Sequence, residues 1–156
     1  MTYAITGLNP DPFAPLFALD DAGLAAINAR RVTATADRGF PCRISLEDAH
    51  AGEELILLHH TSHDVATPYR SAYAIYVRRD VAAARYRDEL PPVFEGRSLA
   101  LRAFDHEAML RTARIARPGE ADGAIRDLFA DDGIAYIDAH NAAHGCFAAR
   151  IERSAA

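Results

Sequence analysis

The chain lacks several features that would place it at once in a known class of protein. It has no tryptophan, only two cysteines and, in a chain of 156 residues with 17 basic ones, no lysine at all. Cys42 and Cys146 lie far apart, so no CxxC pair with zinc-site spacing exists. Two cysteines in a reducing compartment are expected as free thiols rather than as a disulfide. The arginine-only basic set, with abundant alanine, is typical of compositional bias in the source genome.

Long apolar runs and an excess of positive charge are also missing. No stretch reaches eighteen apolar residues, and no basic segment followed by a short apolar one opens the chain, so we expect neither a membrane span nor a secretory signal. The formal net charge of -5 argues against general nucleic-acid binding, which needs a basic surface. We therefore expect a cytoplasmic protein that forms a single globular domain over residues 1–156, long enough to bury a core.

The common catalytic and cofactor motifs are absent as well. The glycines form no GxGxxG or P-loop pattern, and neither GxSxG nor HExxH occurs. The richest histidine segment is His59-His60-Thr61-Ser62-His63. On an extended strand His59 and His60 point to opposite faces, so they cannot both join His63 at a metal. We interpret these as solvated loop histidines near the end of a strand, and the sequence predicts no metal and no cofactor.

Apolar alternation and turn residues predict mostly strands. Strands are expected at residues 3–7, 31–36, 43–47, 55–58 and 73–77, a hairpin at 98–104 with 109–116, helices at 21–29 and 120–131, and a helical turn at 82–88. Asp20 should cap the first helix, and Gly133 should follow the end of the last. The pattern predicts an α+β fold, mostly antiparallel β-sheet with two or three helices, closing in a C-terminal β-hairpin.

The closing hairpin, residues 134–153, holds the most distinctive chemistry of the sequence. Side chains alternate between the faces of a strand. One apolar set should face the core: Ala135, Ile137, Ala139, Phe147, Ala149 and Ile151. The other set should share the outer face: Tyr136, Asp138, His140, Cys146, Ala148 and Arg150. A two-residue turn at Ala142-Ala143 is excluded because it would set Ala139 against Cys146 and mix the two sets.

Two registers keep the sets apart. A five-residue loop, Asn141 to Gly145, sets His140 opposite Cys146. A three-residue loop, Asn141 to Ala143, sets Asp138 opposite Cys146. In either register a cysteine, a histidine and a carboxylate share one face, and directly opposed residues have Cβ atoms about 4.5–5.5 Å apart.

This grouping suggests a nucleophilic site. Cys146 would be the nucleophile, His140 its base, and Asn141 or Asp138 would orient the imidazole, since a thiolate near an imidazolium is the reactive form of cysteine. Cys42 follows the turn Gly39-Phe40-Pro41 and is expected to start a strand. If that strand lies beside the hairpin, the two thiols would form a redox pair. Packing of either thiol in the core is the alternative, because free cysteine is usually buried.

A second group predicts an anion site. Arg70 could hold a carboxylate or phosphate in two hydrogen bonds, with Tyr69 and Tyr73 adding phenol donors. Arg43, next to Cys42, and Arg150 could contribute from neighbouring strands. Pairing of these arginines with the chain's own carboxylates is the alternative.

Three stretches together resemble a known family. They are Gly39-Phe40-Pro41-Cys42-Arg43, Pro68-Tyr69-Arg70-Ser71, and His140-Asn141 with Gly145-Cys146 and Arg150. They resemble a bacterial family catalogued only as a domain of unknown function (number twelve-oh-three). The resemblance covers essentially the whole chain and implies a single-domain cytoplasmic bacterial protein. It implies no activity, cofactor or partner, and it assigns no role to any of these residues.

Three functions are compatible with these observations. The first is binding or sensing of a small anionic molecule by Arg70, Tyr69, Arg43 and Cys42, beside His140 and Cys146. The second is a thiol-dependent enzyme that uses Cys146, His140 and Asn141. The third is a non-catalytic interaction module that forms a homodimer through a sheet edge. The sequence ranks the first ahead of the second only because catalytic motifs are missing, and it leaves open whether the protein is an enzyme.

Overall fold

Two antiparallel sheets make up the body of this computed structural model, which describes residues 1–155. These residues form nine strands: β1 (Thr2–Thr6), β2 (Arg30–Thr33), β3 (Glu54–His63), β4 (Ser71–Arg78), β5 (Arg85–Arg87), β6 (Leu99–Phe104), β7 (Leu110–Ala116), β8 (Tyr136–Asn141) and β9 (Phe147–Ser154). The larger sheet has the order β5-β1-β9-β8-β6-β7, and the smaller has the order β2-β3-β4.

Two α-helices and two short 3₁₀ helices within the described residues cover the sheets. They are α1 (Asp21–Ala26), α2 (Ala121–Phe129) and the 3₁₀ helices Ala14–Ala18 and Pro92–Phe94. The expected α+β fold, with its mostly antiparallel sheet and closing hairpin of β8 and β9, is confirmed. Among residues 1–155, no helix has both the length and the apolar character needed to cross a membrane.

Each sheet buries its own apolar cluster. The apolar side of α2, with Ile125, Leu128 and Phe129, packs against residues of the six-stranded sheet such as Leu101 and Ile137. Phe13, Phe17 and Leu24, from the N-terminal segment and α1, pack against Ile56, Ile75 and Val77 of the smaller sheet. Burial of side chains of this size contributes about 1.5–3 kcal/mol each, so these two clusters stabilise the two sheets.

Several local predictions are correct. Asp20 caps α1, since its carboxylate accepts a hydrogen bond from the Gly23 amide at 2.7 Å. The hairpin of β6 and β7 forms as expected. The apolar run 55–58 lies in β3, the central strand of the smaller sheet, and this strand extends through His63. His59, His60 and His63 therefore lie within a strand, and the prediction that they belong to a loop is wrong.

Other local predictions are wrong. Residues 82–88 do not form a helical turn, because Arg85–Arg87 pair with β1 as the edge strand β5. The residues after Cys42 form turns rather than a strand, and Cys42 itself makes only an isolated bridge to Tyr76. The last residue of α2 is Phe129 and its C-cap is Ala130, so Gly133 lies too far along the chain to be the position after the cap. A local turn pattern in the sequence can be overridden when a neighbouring strand forms hydrogen bonds with the segment.

The hairpin register differs from both predicted registers. Asp138 lies opposite Arg150 and Ala139 opposite Ala149, but His140 lies opposite Phe147 because the register shifts between them. This bulge inserts Ala148 as an extra residue on β9. It turns Phe147 away from the expected core side, and its ring contacts the His140 ring at 5.9 Å between centroids. Both predicted registers assumed that side chains alternate between the two faces without interruption, so neither could include this bulge.

The face that was expected to be exposed is covered instead. Asp138 and His140 are buried. The rings of Tyr73 on β4 and His140 lie 4.9 Å apart between centroids, and His63 on β3 contacts Tyr136. The smaller sheet thus packs against this side of the hairpin. A row of polar side chains on one face of a strand indicates that the face is exposed to solvent only when no second layer of structure covers it.

Candidate functional site

A cleft of about 550 Å³ lies between the loop of the C-terminal hairpin and the smaller sheet. One wall is formed by Leu57 on β3 and by Ala74 and Tyr76 on β4. The remaining walls come from three loops: Gly39, Pro41 and Arg43; Arg97 and Ser98; and Asn141, Ala142, Ala143, His144 and Cys146. The lining is mainly apolar with a few polar groups, which is typical of sites for small molecules.

The loop that carries Arg43 is held from several sides. The Arg43 amide donates to the Tyr76 carbonyl at 3.0 Å, and the Leu8 amide donates to the Arg43 carbonyl at 2.8 Å. At Gly7 the chain passes so close to this loop that an added Cβ would lie 1.8 Å from the Ile44 carbonyl oxygen. Only glycine permits this approach. The backbone around Arg43 is therefore fixed by contacts with the N-terminal segment and with β4.

Arg43 is a buried cation whose hydrogen-bond acceptors are backbone carbonyls. Its residue is only 4% exposed. Its Nε donates to the Phe147 carbonyl at 2.8 Å, and Nη1 donates to the Pro41 carbonyl. Within residues 1–155 no carboxylate forms an ion pair with it.

The third nitrogen of the Arg43 guanidinium differs from the other two. Nη2 of Arg43 has no protein acceptor among residues 1–155. Within the same residues, two fully buried side-chain atoms lack a hydrogen-bond partner, Ser62 Oγ and Arg78 Nε. Nη2 of Arg43 is not one of these fully buried atoms. Nη2 therefore keeps some exposed surface, and Arg43 is one of the residues that line the cleft.

Burial lowers the pKa of Arg43 to about 10. The guanidinium therefore remains protonated at neutral pH. A buried charge without a partner is costly. The cleft is consequently electropositive at Arg43.

The other arginine of the cleft is already neutralised. Arg97 donates to both carboxylate oxygens of Asp48, at 3.0 and 2.8 Å, and both side chains are mostly buried. This pair fixes the wall of the cleft beside the loop of Arg43. Neither Arg97 nor Asp48 was identified from the sequence, because they lie 49 positions apart and no local pattern links them.

Cys146 lies at the end of the hairpin loop and faces the cleft. It is partly exposed, and its sulfur contacts the His144 carbonyl at a distance of 3.9 Å. The loop turns at Gly145, which has a φ of 78°, and the Asn141 amide donates to the Cys146 carbonyl at 2.9 Å. Asn141, Cys146 and Arg43, three of the residues singled out from the sequence, therefore line one cleft.

His140 is near Cys146 in sequence but is turned away from it. Its Nδ1 lies 2.9 Å from the Gly145 carbonyl oxygen, where a ring N–H can donate to it, and its ring packs between Tyr73 and Phe147. Burial lowers the pKa of His140, which favours the neutral ring. Within residues 1–155 no imidazole forms a hydrogen bond with the Cys146 sulfur. The catalytic role of Cys146, His140 and Asn141 stays a prediction.

Cys42 is sealed in the core behind the cleft. It has no exposed surface, and its sulfur accepts hydrogen bonds from the amides of Ile44, Ser45 and Arg78 at 3.3–3.5 Å. The sulfur therefore organises the turn that follows it. Both cysteines are free thiols in this structure, and the redox pair stays a prediction.

Arg70 and Tyr69 lie outside this cleft. The Arg70 side chain is exposed, and its Nε donates to Asp64 at 3.0 Å. The Tyr69 carbonyl lies 2.8 Å from Nδ1 of His63, and the Tyr69 ring packs near Phe104. The structure therefore separates Arg70 and Tyr69 from Arg43. Pairing of Arg70 with a carboxylate of the chain was the alternative interpretation, and it describes the observed contact.

A buried polar cluster lies between the two sheets. His63 is 1% exposed and its Nε2 lies 2.7 Å from the Tyr136 hydroxyl. Asp138 receives two hydrogen bonds from Arg150, at 2.7 and 2.9 Å, and the Arg150 guanidinium lies over the Tyr136 ring. These groups satisfy one another and join the sheets. Within residues 1–155 no group of three or more histidine, cysteine or acidic side chains is arranged to hold a metal ion.

A comparison with protein families identifies one match. The family described as "Protein of unknown function (DUF1203)" matches residues 39–153, which is well over half of the chain. The chain therefore belongs to this family, as the resemblance implied. No curated protein matches the chain. No solved structure matches it either.

Proposed function

We propose that this member of the family binds a small organic anion in the cleft between the hairpin loop and the smaller sheet, with Arg43 as the anchoring group. One observation carries the proposal: Arg43 is buried, lines the cleft and has no carboxylate partner within residues 1–155. A carboxylate or phosphate oxygen at Nη2 would supply the missing charge and form a charge-assisted hydrogen bond.

The walls of the cleft indicate what kind of anion fits. Leu57, Ala74 and Tyr76 present mainly apolar surface opposite the loop. The side chain of Asn141 adds an amide that can donate and accept hydrogen bonds. An anion with an attached apolar group uses both kinds of wall, whereas an inorganic ion uses Arg43 alone. The proposed ligand is therefore a small organic acid, and the protein binds or senses it.

A thermal-shift titration with benzoate tests this proposal. Benzoate combines a carboxylate with an apolar ring, and benzamide is its neutral counterpart of nearly equal shape. An anion present at about ten times its dissociation constant adds roughly 1.4 kcal/mol to the free energy of unfolding, which raises Tm by about 3–5 °C in a domain of this size. Benzoate should raise Tm at constant ionic strength, and benzamide should not.

Variants connect the shift to Arg43. Arg43→Gln should abolish the benzoate shift, and Arg43→Lys, which keeps the positive charge, should retain part of it. Arg70→Gln removes an exposed arginine outside the cleft and should leave the shift unchanged. Equal shifts in Arg43→Gln and in the unmodified protein would exclude Arg43 as the anchor. Inorganic phosphate, tested alongside, should give a smaller shift than benzoate, and an equal one would reject the apolar requirement.

A further inference from the structure

We infer that Cys146 is a site of thiol–disulfide exchange with carboxylate-bearing disulfides, which Arg43 selects by binding their carboxylate. This inference rests on the proposed anion site and names a chemical class of ligand and a reaction for it. It assigns to Cys146 a role that does not need His140.

The geometry brings the thiol and the cation to the same cleft. Cys146 and Arg43 both line it. The Arg43 Nε donates at 2.8 Å to the carbonyl of Phe147, the residue directly after Cys146. The guanidinium is thus fixed to the backbone next to the thiol.

The surroundings of the sulfur favour disulfide exchange over other thiol chemistry. Within residues 1–155 no imidazole is hydrogen-bonded to Sγ, so no general base is in place for an acyl transfer. Exchange needs only a thiolate and access to the disulfide. Cys146 is partly exposed, and its sulfur makes only a long contact to a backbone carbonyl.

The reaction balances without any further reagent. The Cys146 thiol loses its proton to solvent, and the thiolate attacks one sulfur of the ligand's disulfide. A bond forms between Sγ and that sulfur, while the bond between the two ligand sulfurs breaks. The other half leaves as a thiolate and takes up a proton. Cys146 is oxidised to a mixed disulfide and the departing half is reduced.

The adduct should persist until a small thiol removes it. Cys42 is the other cysteine of the chain, but it is fully buried and its sulfur is held by three backbone amides. It cannot attack the mixed disulfide without local unfolding. Cys146 would therefore report the balance of anionic disulfides and thiols around the protein, with a small external thiol as the reversing agent.

Two chromogenic disulfides test the inference. At neutral pH dithiobis(nitrobenzoic acid) carries two carboxylates, whereas dithiodipyridine is uncharged. The second-order rate constants for Cys146 are measured with each reagent, and their ratio is divided by the same ratio for free cysteine. Electrostatic steering raises association rates by a factor of about 10 to 1,000, so a normalised ratio of about ten or more is expected. Cys146→Ser supplies the background rate.

Arg43 variants and competition identify the cause of the selectivity. Arg43→Gln should reduce the normalised ratio to about one, while Arg70→Gln should leave it unchanged. In the unmodified protein, whose folding is not in question, added benzoate should slow only the reaction with the anionic reagent. Oxidised glutathione should add one glutathionyl group to Cys146, detected by mass spectrometry. A normalised ratio near one in the unmodified protein overturns the inference.

The two proposals can fail separately. If benzoate raises Tm through Arg43 but the normalised ratio stays near one, anion binding stands and the exchange is rejected. If benzoate neither raises Tm nor slows the anionic reagent, Arg43 is not an anion site and both proposals fall.

Discussion

The Arg43 side chain contacts the C-terminal hairpin: its Nε donates a hydrogen bond to the carbonyl oxygen of Phe147 at 2.8 Å. The two residues lie 104 positions apart in the sequence. The contact joins the loop after Cys42 to the strand after Cys146. Nε and Nη1 are held by backbone carbonyls, whereas Nη2 has no acceptor within residues 1–155. Structural anchoring and ligand binding are thus combined in one side chain.

The two cysteines should differ sharply in reactivity. Cys146 is partly exposed in the cleft, whereas Cys42 has no exposed surface. In the native protein an excess of iodoacetamide should modify Cys146 and leave Cys42 unmodified, as read by peptide mass spectrometry. After denaturation both should react. Modification of Cys42 at a rate similar to that of Cys146 under native conditions would contradict the burial described here.

Removal of Asp138 should strongly destabilise the fold. Asp138 is 1% exposed and holds Arg150 with two hydrogen bonds. Asp138→Ala leaves the half-buried Arg150 unpaired, so the free energy of unfolding in urea should decrease by about 3 kcal/mol. Asp127→Ala is the matched control, because it breaks an exposed pair with Arg114 and should cost less than about 1 kcal/mol. Equal losses in the two variants would contradict the account.

The hydroxyl of Tyr136 should also matter for stability. It lies 2.7 Å from Nε2 of the buried His63. Tyr136→Phe leaves that nitrogen without its partner and should lower the free energy of unfolding by about 1–3 kcal/mol. Tyr69→Phe removes a hydroxyl that makes no hydrogen bond with residues 1–155, and it should change stability little. A Tyr69→Phe variant less stable than Tyr136→Phe would refute this assignment.

Stability should fall in mild acid, partly because of His140. Burial lowers its pKa in the folded state below the ordinary value of about 6.5 that it has when unfolded. The unfolded chain therefore binds this proton first. The contribution of His140 is fully present above pH of about 6.5 and is lost as the pH falls towards the folded pKa. His140→Asn should lose less stability than the unmodified protein between about pH 7.5 and 5.5, as measured by urea unfolding. An equal loss would exclude His140 as a source.

The fold could be predicted from the sequence where local pattern and tertiary structure agree. The alternation at Tyr73, Ile75 and Val77 defines β4, and Asp20 defines the start of α1. The prediction failed at Ala148, because a bulge depends on both strands and leaves no local signature. Arg85–Arg87 form a strand only because β1 offers an unpaired edge.

The candidate site could be predicted only in part. Arg43, Asn141 and Cys146 were each identified by residue type, and the structure brings them to one cleft. Their grouping was not foreseen, because it depends on how the smaller sheet packs against the hairpin. The same packing buries His140, which the strand pattern had placed with Cys146 on an open face. That the buried Arg43 forms no ion pair within residues 1–155 is likewise decided by tertiary contacts.

The central claim is that the guanidinium of Arg43 binds an organic anion, and its own NMR signal tests that claim most directly. The Nε–Hε resonance of Arg43, assigned by comparison with Arg43→Lys, is followed while benzoate is added at constant ionic strength. We predict a saturable shift of this resonance with the dissociation constant seen in the thermal titration, and no shift with benzamide. An Arg43 resonance that stays fixed while benzoate stabilises the protein would contradict it, since the anion would then bind elsewhere.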